Sequence, residues 1–179
     1  MRRPLRLVQA EALALGVILT RVSPSGPDRE LIAEEDRLWT ELHDLVDSMP
    51  ADKVEEPGYF AEGWSAKDLV AHIGSWLAEA GVVLDRLRSG TYRPEEIDID
   101  AMNAQFYGSM RDVAFHDVRA QAFTARNRML RAWRSLPGGS AEADRWIRKS
   151  GPEHYAEHIP RLREWVGEIG RDGPGPHRG

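Results

Sequence analysis

Three of the six histidines carry a spacing that chemistry can use. His154 and His158 are four residues apart, so on a helix both rings leave from one face. His72 lies three residues after Leu69 and four before Trp76, on the stripe those apolar side chains define. All three imidazoles are therefore expected to point into one core. A buried imidazole without a partner is costly, and three in one core need a reason. A divalent cation supplies one, because it takes neutral imidazole nitrogens at about 2.0–2.1 Å and keeps a position open for a further ligand. The competing reading is a set of hydrogen-bonded core histidines, since a single His-x-x-x-His pair is a weak signal. The remaining three carry less: His43 flanks an apolar stripe and His116 sits near a helix start, so both read as surface residues, and His177 lies in the tail. A zincin site is not expected, because that motif needs Glu directly after the first His as general base. Tyr155 stands there instead, and Glu157 is expected on another face.

The rings can meet only if helices bring them together. From about 28 to 49, Leu31, Leu38, Leu42, Leu45 and Met49 recur at three- and four-residue steps, with Trp39 and Val46 widening the stripe. Pro50 stops this first helix. The second opens at Ser65, which is spaced from Asp68 as in a capping box, and ends at Ser89-Gly90. Leu69, Ile73, Trp76, Leu77, Leu84 and Leu87 form its apolar face. A third is expected over 113–136, with a start as early as Ile99, and a short helical turn over 141–149. The fourth begins near Pro152, where Ser150 and Glu153 have capping-box spacing, and bends at Pro160 without stopping. No alternating strand pattern is present. The chain thus reads as an all-α, up-and-down four-helix bundle. At 1.5 Å per residue, His72 lies roughly 10 Å into the second helix and His154–His158 roughly 3–9 Å into the fourth. Those helices run parallel in such a bundle, so the rings share one end.

Composition narrows the function. A net charge of −5 over 179 residues, with Lys and Arg interspersed among Asp and Glu, argues against nucleic-acid binding. No stretch is apolar for long enough to span a bilayer. Arg2, Arg3 and Arg6 before Ala12–Thr20 loosely mimic a signal peptide, but Glu11 borders the apolar run and no cleavage site follows. Residues 1–26 are expected to be a poorly ordered or weakly helical extension, 27–170 the bundle, and 171–179 a disordered tail. The absence of cysteine removes thiolate ligands and fits a reducing cytoplasm.

Two segments resemble a known family. Gly63-Trp64-Ser65-Ala66-Lys67-Asp68-Leu69-Val70-Ala71-His72 is similar to the W-S-x-x-[DE]-[LV]-x-x-H that opens the second helix of DinB-like (DinB/YfiT-like) four-helix bundles. His154-Tyr155-Ala156-Glu157-His158-Ile159-Pro160 is similar to their H-x-x-x-H. The branch resembled holds the N-terminal domain of mycothiol-dependent maleylpyruvate isomerase. Ile99–Asn103 together with Val118–Pro137 resembles a ClbS/DfsB-like subgroup. The resemblance implies a metalloenzyme holding zinc or nickel through three histidines, here His72, His154 and His158. It also implies a low-molecular-weight thiol cosubstrate such as mycothiol or bacillithiol.

The expected activity is a metal-dependent thiol S-transferase or hydrolase acting on a small molecule. The alternative is a non-catalytic bundle that binds a small hydrophobic ligand or a protein partner, for which six tryptophans are suited. A homodimer is compatible with either.

Overall fold

The computed structural model describes residues 26–60, 63–136 and 140–171. Six helices follow in order: α1 (Gly26–Asp47), α2 (Ala66–Ser89), α3 (Ile99–Met110), α4 (Phe115–Arg134), α5 (Ala141–Ser150) and α6 (Pro152–Arg171). No strand occurs among the described residues. The fold is therefore the all-α bundle expected, with α2 packed chiefly on α4, and α1 on α6. Helices α1 and α6 reach one residue into the expected terminal segments. The rest of those segments lies outside the described residues.

The helix expected over 113–136 is α4; extended back to Ile99, the segment is two helices, α3 and α4. Residues 111–114 interrupt it, and α4 restarts after Ala114, which is extended at φ −63 and ψ 145. The apolar stripe explains the break. On α4, Val118, Ala122, Met129 and Trp133 are buried, whereas no residue of α3 is. α3 instead lies on the outside of α2, tied by Trp76 Nε1, which donates to Asn103 Oδ1 at 2.9 Å. The short turn expected over 141–149 is a full helix, α5, whose N-terminus is capped by Ser140. Ser150 ends α5 rather than capping α6, and Glu153 pairs with Lys149 at 2.6 Å. α6 runs through Pro160 unbroken.

Leu42, Leu69, Ile73, Leu77, Leu84, Met129 and Leu162 fill the core. Gly74 lets α2 and α4 approach closely, since a Cβ there would lie 2.9 Å from that of Ala122. Glu35 is fully buried on α1. It accepts from Arg126 of α4 (Nε to Oε1, 2.7 Å) and from the Tyr155 hydroxyl of α6 (3.1 Å). One carboxylate thereby ties three helices.

His43 corrects an expectation. It is buried, not on the surface, with its ring 3.9 Å from that of Trp39 and 4.8 Å from that of Phe123. Its Nδ1 lies 3.0 Å from the Trp39 carbonyl. Four residues after Trp39, it shares that widened edge of the stripe. His116 is exposed, as expected. Among the described residues no helix is long and apolar enough to cross a membrane.

Candidate metal centre

The second helix places the first ring. Ser65 Oγ accepts from Asp68 N, and Asp68 Oδ2 accepts from Ser65 N at 2.8 Å and Ser65 Oγ at 2.7 Å. This reciprocal cap fixes the start of α2 about two turns before His72. It also occupies the Asp68 carboxylate, which is thereby accounted for as a cap. The other two rings come from the start of α6. The chain turns from α5 into α6 at Gly151, where an added Cβ would lie 2.7 Å from the Ile147 carbonyl oxygen. Only glycine fits that approach, and His154 follows three residues later.

The three rings meet. His72 Nε2 is 2.9 Å from His154 Nε2, and His158 Nε2 is 3.2 Å from the same atom. His72, His154 and His158 are the group of potential ligands whose donor atoms lie within 4.8 Å of one another among the described residues. A tetrahedral ion bound at about 2.0–2.1 Å sets its ligand nitrogens about 3.3 Å apart, close to this spacing.

Hydrogen bonding among the rings satisfies the cluster poorly. Each neutral imidazole has one N–H and one lone pair. The Nε2 of His154 faces two other ring nitrogens but can accept only one N–H or donate only one. A cation accepts all three lone pairs at once, so the donor set fits a divalent metal.

Electrostatics keeps those lone pairs free. His72 and His154 are buried and His158 half-buried. Burial pushes His72 down to about 3, and the His158 ring acts in the same direction. His154 falls to about 2, by burial first and then by the His72 and His158 rings. Burial alone brings His158 down to about 4. Each ring is neutral at neutral pH, which is the ligating form.

The rings open onto a cleft of about 830 Å³. Phe60, Trp64, Trp76 and Trp146 line it, with Ile97 from the segment between α2 and α3 and Ile99 at the start of α3. Trp64 stacks on Tyr107 of α3 and stands 5.3 Å from the His72 ring. Arg145 and Lys149 of α5 border the cleft, each beside a carboxylate partner, Glu142 and Glu153.

Glu157 is a second correction. It lines the cleft instead of facing elsewhere, because a position three residues after His154 stays on the same face. The zincin pattern still fails, since the residue after His154 is Tyr155, buried and donating to Glu35.

The sequence reading missed Tyr59. Its hydroxyl lies 3.4 Å from His158 Nδ1, reached from a loop ninety-nine residues away. A Pro-Gly loop next to the Trp64 motif was the available signal.

A helical bundle whose imidazoles converge under an aromatic cleft defines a DinB-like class of protein. The sequence profile of the mycothiol maleylpyruvate isomerase N-terminal domain matches residues 36–166, and the chain belongs to that family. No curated protein sequence matches it. Among solved structures, the crystal structure of an uncharacterised protein from Escherichia coli UTI89 is similar, with a TM-score of 0.66 at 16% identity. The match covers 79% of this chain and 94% of that one. At that identity the likeness speaks for the fold alone.

Proposed function

We propose that the chain is a metal-dependent enzyme in which His72, His154 and His158 hold one zinc or nickel ion. The reaction proposed is thiol S-transfer or hydrolysis on a small molecule, with a mycothiol- or bacillithiol-type thiol as cosubstrate. The observation that carries this reading is the convergence of three neutral Nε2 atoms at the floor of an open cleft. Family membership supports the thiol, because the family takes its name from a mycothiol-dependent domain. A bound divalent ion supplies Lewis acidity and favours the thiolate form of a thiol it meets.

The chain's own residues do the rest. The rings, held neutral by burial, offer lone pairs without first releasing a proton. Trp64, Trp76 and Trp146 exclude water and pack the apolar part of a substrate. Glu157 is the carboxylate on α6 that borders the cleft, placed to handle a proton there. A cysteine-free chain working with a reduced thiol fits the cytoplasm.

The test is consumption of mycothiol or bacillithiol in the presence of a panel of electrophiles. Consumption should depend on added zinc or nickel and disappear in His154→Ala. Absence of any metal-dependent thiol loss, together with no effect of the thiol on the visible spectrum of cobalt-loaded protein, would overturn the reaction proposed. The aromatic lining also favours one other reading, a binding protein for a hydrophobic molecule. Tight ligand binding by metal-free protein, unaffected by His72→Ala, would select it.

A further inference from the structure

His158 differs from the other two rings in one respect. Neither His72 Nδ1 nor His154 Nδ1 meets a side-chain partner, whereas His158 Nδ1 faces the Tyr59 hydroxyl. That hydroxyl donates to the His158 backbone carbonyl at 3.3 Å. A carbonyl can only accept, so a hydroxyl that donates there presents a lone pair to Nδ1, 3.4 Å away. A lone pair there selects the Nδ1–H tautomer and leaves the Nε2 lone pair aimed at the cluster.

The loop that carries Tyr59 is held by Trp64 and Arg161. Gly58 N and Tyr59 N both donate to the Trp64 carbonyl, at 2.9 and 2.8 Å, closing the segment before α2. Arg161 Nε donates to the Tyr59 carbonyl at 2.8 Å, and its guanidinium lies 5.8 Å above the Tyr59 ring. Arg161 stands three residues after His158 on α6, so one helix face grips both ends of the contact. Gly58, at φ +126, lies where a Cβ would be 2.8 Å from the Trp165 ring. Tyr59 itself is fully buried. Phenylalanine would fill the same space, so the hydroxyl is the informative atom.

We propose that Tyr59 is a positioning residue that fixes the tautomer and orientation of His158 and thereby sets the cation affinity of the three-histidine site. The affinity part rests on the metal reading above, and the tautomer part does not. The experiment is Tyr59→Phe, which removes only the hydroxyl. Nitrogen NMR of the metal-free protein should find His158 as the Nδ1–H form in the unsubstituted chain and a mixture in the variant. Competition titration with zinc alone should find the dissociation constant raised by about tenfold or more, in the range known for partners of metal-ligating histidines. The melting temperature of the metal-free variant serves as control, since a purely structural role would move it and leave the tautomer alone. Should that variant fail to fold, Arg161→Met keeps the hydroxyl but frees the loop, and should weaken zinc binding by a smaller factor. Unchanged zinc affinity with an unchanged His158 tautomer would overturn the proposal. If the unsubstituted chain binds no zinc, the metal reading falls and the tautomer result alone decides this one.

Discussion

The Nε2 atoms of His72 and His154 lie 2.9 Å apart, although eighty-two residues separate them in the chain. Neither ring is charged in that setting, because burial holds both far below the ordinary histidine range. Two neutral imidazoles this close, with a third at 3.2 Å, could hold one cation between them. Four consequences can be measured.

Cation binding at a folded site stabilises the fold. At a zinc concentration about 1,000 times the dissociation constant, the gain is about 4 kcal/mol, which raises the melting temperature by roughly 8–16 °C for a domain of this size. Differential scanning calorimetry should find that rise in the unsubstituted chain and none in His72→Ala.

Acid should weaken the fold through His43 as well as through the cluster. Burial lowers His43 from 6.5 to about 4, against the hydrogen bond that its Nδ1 donates to the Trp39 carbonyl. Between those values the unfolded chain binds the proton and the folded chain does not, so stability falls as pH drops from 6.5 towards 4. The loss attributable to this one ring is on the order of 3 kcal/mol by pH 4. Urea unfolding of His43→Leu should show a shallower decline over that window than the unsubstituted chain. An equal decline in both would remove His43 from the balance.

The buried carboxylate of Glu35 depends on Arg126. Arg126→Ala leaves that charge with the Tyr155 hydroxyl alone, and should cost about 3–5 kcal/mol by denaturant titration. Replacing both, Glu35→Met with Arg126→Met, should recover much of the loss, since the desolvated charge goes as well. Because Tyr155 adjoins His154, the single variant should also weaken zinc binding.

Glycines on the helices should respond in opposite directions. Gly108→Ala adds a Cβ into open space and should stabilise by about 0.5–1 kcal/mol through helix propensity. Gly74→Val pushes against Ala122, two residues from His72, and should destabilise by about 1–3 kcal/mol. A stabilised Gly74→Val would contradict the close approach of α2 to α4 at Ala122.

Much of this was legible in the chain. The three- and four-residue steps of Leu31 to Met49 and Leu69 to Leu87 mark helices, and Ser65 with Asp68 marks where α2 begins. The depth of His72, His154 and His158 within their helices follows from rise per residue alone. What was hidden needed tertiary information. The split into α3 and α4 depends on how little of α3 is buried, which its apolar content does not reveal. His43 looked superficial because part of its cover comes from Phe123, eighty residues further on. Tyr59 reaches His158 only because Arg161 and Trp64 fold its loop back onto α6. Local periodicity has no access to such contacts.

The most direct measurement is metal content of untagged protein, purified and dialysed after saturation with zinc or nickel, alongside His158→Ala. A three-histidine site requires about one ion per unsubstituted chain and close to none in the variant. Equal stoichiometry in the two proteins, or no retained ion in either, would contradict it.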